Sequence, residues 1–405
     1  MAMKQTQTKL FDFSDAGLDF SAGSKNLFPD RFKKILTLGF NVQTVTSVAV
    51  AGNQVTFTYG GAHGYVADRV LKVDSGALAS INGGEFWIDS VTTNTVTITI
   101  DDAPISVGGG FTTRVASLGW ESVYEQAHIH IYKFKHIDGT DIFARLCFQN
   151  ATTAGNRNCI AVGIGRTVDL NSGHITDENC LTDLAKCATV AEATSQLRWD
   201  FTSSTARTFD NYTYAQGVGT FGKGLVVGSI YHIICMYSQA ASQTSHMVSA
   251  ILPFSSKYSV LNYPVLMCQE NGTSTSTLPS GQLDKLRLLA GSIQCSSSSS
   301  DAYVLPRLPA RSSYLPGNID GFNTTTVKPL EIYTSEEFQF LGFAYGLGIA
   351  MYGTVETSPI LGNTNLPTQT ADVDFSSIVV CHAITQANTS VRSYVAVAVE
   401  EINGL

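Results

Sequence analysis

Three histidines in one short stretch have the residue type and spacing that a metal site requires. The stretch at 127–146 reads AHIHIYKFKHIDGTDIFARL, with imidazoles at His128, His130 and His136. Alternate residues of an extended strand share a face, so the first two imidazoles stand about 7 Å apart and can share a cation with a third ligand. The stretch supplies no such ligand, because neither a cysteine pair nor an HExxH spacing accompanies the histidines.

The same stretch also has the pattern of a β-hairpin. Aromatic and histidine side chains alternate with isoleucine and lysine from 128 to 136, and Asp-Gly-Thr at 138–140 supplies turn chemistry before a second apolar run. We therefore predict histidines that pack on a half-buried sheet face or at a subunit contact, with a pH-sensitive contact as the remaining alternative. We expect no metal ligand, no cofactor and no catalytic residue in this chain.

A glycine-rich hexapeptide, GVGTFG at 217–222, fits the GxGxxG pattern of dinucleotide-binding loops. Such a loop needs an apolar strand before it and a helix after it, so that the helix N-terminus faces the pyrophosphate. Here DNYTYAQ precedes the glycines and KGLVVG follows them, and glycine is a poor helix former. We predict a glycine-rich loop between strands instead of a cofactor site.

Paired carboxylates and neighbouring aromatic residues are candidates for carbohydrate chemistry. Two acids about 5 to 9 Å apart can hydrolyse a glycosidic bond, and aromatic rings can stack on sugars. The candidates are Asp177 with Glu178, Glu336 with Glu337, and the aromatic group of Trp199, Tyr212 and Tyr214. Adjacent acids on a strand point to opposite faces, and acids in loops are usually solvated. We predict solvated carboxylates, aromatic side chains that belong to the core, and a chain that is not an enzyme.

Composition favours a β-rich protein that binds neither nucleic acid nor membrane. Charged residues are only 14% of the 405 residues, and 35 glycines separate short apolar runs. A net charge of −8 disfavours nucleic acid and anionic membranes, since both need concentrated lysine and arginine. The N-terminus shows no apolar segment of a secretory signal, and the eight cysteines include no CxxC pair. We expect reduced thiols in a protein made in the cytosol.

Short alternating runs predict a mostly β fold, with an antiparallel sandwich or jelly-roll-like main domain. Five runs between 42 and 100, split by glycine and asparagine turns, predict a small β-barrel-like module. Strands predicted at 34–40 and 112–120 flank this module, so we interpret it as an insertion that requires these two strands to be neighbours. Only 182–197 has a helical pattern.

Four parts make up the predicted organisation. Residues 1–41 form an N-terminal arm and the first strand of the main domain, and 42–114 form the inserted module. Residues 115–294 form the main β-domain, and 295–405 a serine-rich linker and a C-terminal β section that completes it. The tracts at 271–280 and 295–301 are expected to be loops or linkers. The closing runs FSSIVVCHAI and SYVAVAVEEI are predicted strands that pair with this chain or with a copy of it.

Two stretches carry motifs of a known group of proteins. The first combines a His-Gly-Tyr turn, an Asn-Gly turn and a closing Thr-Val-Thr strand, and its matching residues are His63, Gly64, Tyr65, Asn82, Gly83, Phe86 and Val91. It resembles a small β-module of tailed-bacteriophage virion proteins, in which Gly-Asp is usual where Ala67-Asp68 stands here. The second stretch, 118–148, is similar to a phage virion family through Leu118, Gly119, Trp120, Tyr132, Gly139, Thr140 and Arg145. In that family arginine is usual at the position of Lys133.

The resemblance covers roughly a quarter of the chain. It implies a structural virion component of the tail, collar, baseplate or decoration type, assembled in the host bacterial cytoplasm. Its partners would be copies of itself and other virion proteins. Two alternatives remain: an appendage that binds a host receptor or surface glycan, and a hydrolase of surface polysaccharide. An exposed aromatic patch would favour the glycan binder, whereas large apolar contacts between copies would favour the structural subunit.

Overall fold

The structure is a computed structural model that describes most of the chain. The described residues are 7–74, 81–150, 158–195, 197–202, 211–238, 246–268, 286–295, 328–352, 367–371, 378–383 and 392–399. The predicted loops at 271–280 and 295–301 lie outside them, except for Cys295, which ends a strand. Within these ranges the fold is mostly β, with antiparallel sheets and a closed barrel, and the predicted fold class is confirmed.

The barrel forms from six consecutive strands that follow the short strand β1. The bounds are Lys9–Asp12 (β1), Phe40–Ala51 (β2), Gln54–Tyr59 (β3), Val70–Asp74 (β4), Glu85–Val91 (β5), Thr95–Thr99 (β6) and Phe111–Val115 (β7). The closed order is β2-β3-β6-β5-β4-β7, with every pair antiparallel. Alternate side chains such as Val55, Phe57 and Tyr59 are buried and fill the interior.

The strand predicted at 112–120 as part of the main domain belongs to the barrel instead. It is the sixth barrel strand, β7, which pairs with β2 on one side and β4 on the other. A module of only the five predicted strands would have left the outer edges of β2 and β4 without hydrogen-bond partners. Phe40 pairs directly with Val115, so the chain leaves the barrel beside the point where it starts. This is the geometry that an insertion requires.

The strand predicted at 34–40 is a helix. Helix α1 spans Phe28–Lys33 and continues as one π-helical turn at Lys34–Leu38, which ends at Gly39 with φ of +73°. Its buried side chains recur at helical spacing, at Phe28, Phe32, Ile35 and Leu36. Pro29 fits the first helical turn, where its missing N–H has no partner in any case. The apolar period of three and four residues was the signal for a helix.

A thirteen-stranded antiparallel sheet dominates the rest of the chain. It contains β1 together with Gly224–Ser229 (β15), His232–Ser238 (β16), His246–Leu252 (β17), Phe254–Ser256 (β18), Val265–Met267 (β19), Leu286–Leu288 (β20), Gly291–Cys295 (β21), Lys328–Thr334 (β22), Phe340–Tyr352 (β23), Thr368–Ala371 (β24), Ile378–Ala383 (β25) and Arg392–Ala398 (β26). The order is β1-β15-β16-β17-β19-β20-β21-β22-β23-β26-β25-β24. Most neighbours are consecutive in the chain, so the sheet is largely a meander.

This sheet folds over on itself to form a sandwich. Strand β18 follows β17 directly but pairs with β23, so the chain passes there from one layer to the other. Val227 and Ile234 enter a core shared with Leu330 and Val380 of the covering strands, whereas the opposite face of β15 and β16 enters a second core. The two predicted C-terminal strands, β25 and β26, pair with each other, with β24 and with β23 of this same chain.

A five-stranded sheet covers the second face of the large sheet. Its strands are Glu121–Gln126 (β8), Ile129–Lys135 (β9), Asp141–Phe148 (β10), Cys159–Gly165 (β11) and Arg198–Asp200 (β14), in the order β14-β11-β10-β9-β8. The predicted hairpin is the β9-β10 pair. Trp199 Nε1 donates to the carbonyl of Met267 at 3.1 Å, and Phe201 stacks on Tyr237 with ring centroids 4.2 Å apart. These contacts join the two sheets.

The outer face of the five-stranded sheet carries a covering segment, residues 166–195. It contains the ribbon of Val168–Asp169 (β12) and His174–Ile175 (β13), helix Thr182–Lys186 (α2) and a 3-10 turn at Val190–Glu192. The helix predicted over 182–197 is therefore realised only as two short pieces, because Cys187 has an extended ψ of 132°. Leu184, Cys187 and Val190 are buried, and Ala191 is exposed.

We expect the barrel to be removable. Replacing residues 42–114 by a short Gly-Ser linker should leave the main domain folded, because Phe40 and Val115 already lie side by side. Altered loop closure alone should lower the free energy of unfolding by about 1–2 kcal/mol, and the loss of the barrel's contacts with residues 9–16 should lower it further. Urea unfolding and near-UV circular dichroism measure this against the full chain. A molten or insoluble deletion variant would show that the barrel is an integral part of the main domain.

Candidate functional site

The structure separates the three histidines. His130 and His136 are buried, and burial lowers the pKa of each imidazole, which favours the neutral form. His130 Nδ1 lies 2.8 Å from the hydroxyl of Tyr132, whereas His128 Nε2 lies 2.7 Å from the carbonyl oxygen of Ala188. Among the described residues no group of three or more His, Cys, Asp or Glu side chains is placed to hold a metal ion. His128 thus joins the hairpin to the segment around Ala188, whereas His130 bonds to a neighbouring residue of its own strand.

His63 of the first motif is buried in the barrel and holds a loop to the β5-β6 turn. Its Nδ1 accepts a hydrogen bond from the backbone N–H of Tyr65 at 2.9 Å. The proton therefore resides on Nε2, which faces the carbonyl oxygens of Thr92 and Thr95 at 3.0 and 3.1 Å. The imidazole uses both nitrogens for backbone hydrogen bonds, so its role is structural.

Tyr65 continues this network across the barrel. Its hydroxyl lies 2.9 Å from the carbonyl oxygen of Asn41 and 2.8 Å from that of Thr113, so it joins β2 to β7. Burial raises the pKa of this phenol, which remains a hydrogen-bond donor. Gly64 between the two side chains has φ of +70°, and an added Cβ would lie 2.8 Å from Cβ of Ala16 in the N-terminal arm. The His-Gly-Tyr motif is thus fitted to the contact between barrel and arm.

Two buried ion pairs connect the N-terminal arm to the barrel. Arg69 donates to both carboxylate oxygens of Asp15, from Nε at 2.8 Å and from Nη2 at 3.1 Å. Lys9 Nζ lies 2.6 Å from Glu85 Oε2 and 2.5 Å from the carbonyl oxygen of Ser117. At least nine tenths of each of the four side chains is buried. Removing one partner of such a pair leaves an uncompensated buried charge, so these contacts fix the arm on the barrel.

The second motif, Leu-Gly-Trp at 118–120, joins three other elements. The backbone N–H of Leu118 donates to the carbonyl of Ile35 in the π-helical turn at 2.8 Å. Trp120 Nε1 donates to the carbonyl of Ser229 at the end of β15 at 2.9 Å, and its ring stacks on Phe134 with centroids 4.4 Å apart. This motif therefore also serves packing between sheets.

The GVGTFG hexapeptide was wrongly predicted as a loop. Residues Tyr214–Phe221 form helix α3, which begins with a capping box between Thr213 and Gln216 and ends at Gly222 with φ of +71°. Gly217 is required because an added Cβ would lie 2.1 Å from Ser21 Oγ. Gly217 and Gly219 lie inside the helix and Gly222 follows its last residue, so the glycines do not form a loop before a helix N-terminus, as phosphate binding requires. The Thr-x-x-Gln spacing was the sequence signal for this helix.

The carboxylate pairs do not assemble into a catalytic pair. Asp177 accepts hydrogen bonds from the backbone N–H of Arg166 at 2.6 Å and from the hydroxyl of Tyr263 at 2.8 Å, and so holds β11 to a distant loop. The other three acids are exposed: Glu178, Glu336 and Glu337. The Glu336 and Glu337 side chains lie in the turn between β22 and β23.

The candidate sugar-stacking residues do not form a surface platform either. Trp199 is fully buried between the two sheets, and Tyr212 and Tyr214 pack partly buried against the same core. This agrees with the prediction that these aromatic residues belong to the core. A second group of aromatic residues, which no sequence motif singled out, lies around the turn between β22 and β23 of the large sheet.

This group, the aromatic cluster, consists of the exposed residues Tyr258 and Phe340 and the half-buried residues Tyr333 and Phe343. Phe340 is 44% exposed, and its ring centroid lies 5.6 Å from that of Tyr333 and 5.1 Å from that of Phe343. Tyr258 is 46% exposed, and its hydroxyl accepts a hydrogen bond from the side chain of Gln339 at 3.1 Å. Aromatic residues flanking the turn between β22 and β23 were the available sequence signal.

His232 allows a test of how burial controls histidine charge in this fold. It lies at the start of β16, with Nδ1 2.8 Å from Ser229 Oγ, and burial lowers its pKa to about 3. The unfolded chain takes up a proton near pH 6.5, so the free energy of unfolding falls as the pH drops below that value.

We expect this residue alone to remove about 2 kcal/mol between pH 8 and pH 5. The variant His232→Gln should lack this component of the pH dependence in urea unfolding, whereas His174→Gln, at a partly exposed histidine of β13, should retain it. Equal pH slopes for the wild type and His232→Gln would contradict the assignment.

No protein-family model matches this chain, and a search of curated proteins gives no match. The resemblance to tailed-phage virion proteins therefore rests on the two motifs whose residues are described above. In the part of the chain that the structure describes, no helix has the length and apolar character needed to cross a membrane.

Proposed function

We propose that this chain is a non-enzymatic structural component of a tailed-phage particle, of the tail, collar, baseplate or decoration type. It acts through contacts with copies of itself and with other virion proteins, after assembly in the host bacterial cytoplasm. The supporting observation is that residues of both motifs stabilise the fold by joining its parts. His63, Tyr65 and Trp120 all make hydrogen bonds between separate elements of the fold.

Further support comes from the connection between the barrel and the main domain. The barrel is held to the N-terminal arm by two buried ion pairs and so keeps a defined orientation, as a subunit of a regular assembly needs. All eight cysteines are buried thiols, which is compatible with folding in a reducing compartment. The exposed edge strand β8 carries the charged residues Glu121 and Glu125, which disfavour uncontrolled edge-to-edge pairing.

The direct test is the composition of particles produced from the genome that encodes this chain. Particles purified by density gradient should contain the chain at a fixed copy number relative to the other virion proteins, measured by quantitative mass spectrometry. Antibody against the chain, visualised by electron microscopy, should label one position on each particle. A chain that stays in the particle-free fraction would contradict the proposal.

A second candidate function is binding of a host surface glycan, and the aromatic cluster favours it. Exposed rings offer flat apolar faces on which sugar rings stack. Polar groups lie beside them, since the hydroxyl of Tyr333 donates to Glu331 at 2.8 Å and Tyr258 is paired with Gln339. Val260, two residues after Tyr258 in the chain, is also exposed, at 77%.

Retention of the full chain on immobilised bacterial surface polysaccharides tests this alternative. If the cluster binds glycan, Phe340→Ala and Tyr258→Ala should each weaken retention about fivefold or more, because a lost stacking contact removes roughly 1 kcal/mol or more. Leu170→Ala is the matched control, since Leu170 is 50% exposed on β12-β13. If all three variants are retained as strongly as the unmodified chain, the aromatic cluster does not bind glycan.

A further inference from the structure

Arg145 is a buried cation on β10, with only 1% of its surface exposed. Its Nε donates to the carbonyl oxygen of Gly173 and its Nη2 to that of Cys187, both at 2.7 Å. Its Nη1 donates to the thiol sulfur of Cys187 at 3.4 Å. The guanidinium thus holds the covering segment on the five-stranded sheet.

These contacts leave the positive charge of Arg145 without a carboxylate partner within the described residues. Its polar partners there are two carbonyl oxygens and one sulfur. A buried charge is strongly unfavourable unless an opposite charge or several hydrogen bonds compensate it. Of the three partners only the thiol of Cys187 can become an anion.

A second thiol adjoins the first. Cys147 lies two residues beyond Arg145 on the same face of β10, and it hydrogen-bonds to Cys187. This hydrogen bond, with the charge of Arg145, lowers the pKa of Cys187 to about 7 although burial acts in the opposite direction. The same hydrogen bond and burial raise the pKa of Cys147. Because Arg145 donates to the sulfur of Cys187, we assign the thiolate to Cys187 and the role of proton donor to Cys147.

We propose that Cys147 and Cys187 form an oxidisable dithiol, in which Cys187 is the attacking thiolate and Cys147 the resolving thiol. The Cys187 sulfur attacks one oxygen of a peroxide, the O–O bond breaks, and hydroxide leaves and takes up a proton. The resulting sulfenic acid is attacked by Cys147, so that a disulfide forms and the sulfenic oxygen leaves as water. The two thiols lose two electrons, and the peroxide is reduced to two waters.

The disulfide would fasten the covering segment to β10. Helix α2 has only five residues and no side-chain cap, and Cys187 follows it directly. A bond from Cys187 to Cys147 closes a loop of about 40 residues and restricts the unfolded chain. The expected consequence is a chain that is reduced in the cytosol and gains stability when it meets an oxidant. This inference does not depend on the proposed function.

Alkylation of the folded full chain tests the thiolate. With iodoacetamide at pH 7, followed by peptide mass spectrometry, Cys187 should react about tenfold faster than Cys180 or more, and its rate should reach a plateau at a lower pH than that of Cys180. Cys180 is the internal control, because it lies on the same segment and burial raises its pKa to about 12. Equal rates at the two cysteines, or labelling of Cys187 only after unfolding, would overturn the proposal.

Hydrogen peroxide tests the second step. The treated chain should lose about 2 Da, yield a peptide pair linked through Cys147 and Cys187, and unfold at a higher temperature. The variant Cys147→Ser should stop at a sulfenic acid on Cys187, which dimedone traps, whereas the control Cys180→Ser should still form the disulfide. A treated chain without this linkage, or Cys147→Ser without trapped sulfenic acid, would contradict the mechanism.

Discussion

Residues 9–36 of the N-terminal arm contact three different parts of the fold at once, and the rest of the structure depends on these contacts. Its strand β1 pairs with β15 at the edge of the large sheet. Its charged side chains Lys9 and Asp15 enter buried ion pairs with the barrel. Its helix α1 places Phe28 and Phe32 against Phe201 under the five-stranded sheet. A charge is tolerated in these apolar surroundings because its partner is already in place.

This arrangement explains the physical role of the motifs that resemble those of phage virion proteins. His63 and Tyr65 satisfy backbone groups that would otherwise be buried without partners, and Gly64 allows the arm to approach closely. Trp120 connects the five-stranded sheet to the end of β15. Each motif therefore lies where two elements meet, and its polar and aromatic residues make the hydrogen bonds and ring contacts between those elements.

Alternation of apolar residues was sufficient to predict the fold class, five barrel strands and the β9-β10 hairpin, because a half-buried strand has apolar residues at every second position. The helix at 28–38 was missed because its apolar period is short and runs directly into β2. The helix at 214–221 was missed because glycine lowers helix propensity, whereas Gly217 is set by a tertiary contact with Ser21.

The contacts that unite the parts were beyond a local reading of the sequence. Asp15 and Arg69 are far apart in the chain, and nothing next to either residue indicates its partner. The aromatic cluster depends in the same way on β18 pairing with β23. Side chains at such positions look like ordinary surface residues until the topology is known, so charge and aromatic patterns alone do not locate them.

The central claim, that buried ion pairs hold the barrel to the N-terminal arm, is tested most directly by a double-mutant cycle. The free energies of unfolding of the wild type, Asp15→Asn, Arg69→Met and the double variant should be measured in urea at pH 7. Each single variant should lose about 3–5 kcal/mol, and the double variant should lose less than the sum by more than about 1.5 kcal/mol. Losses that add to within about 0.5 kcal/mol would show that the two residues act independently and would contradict the account.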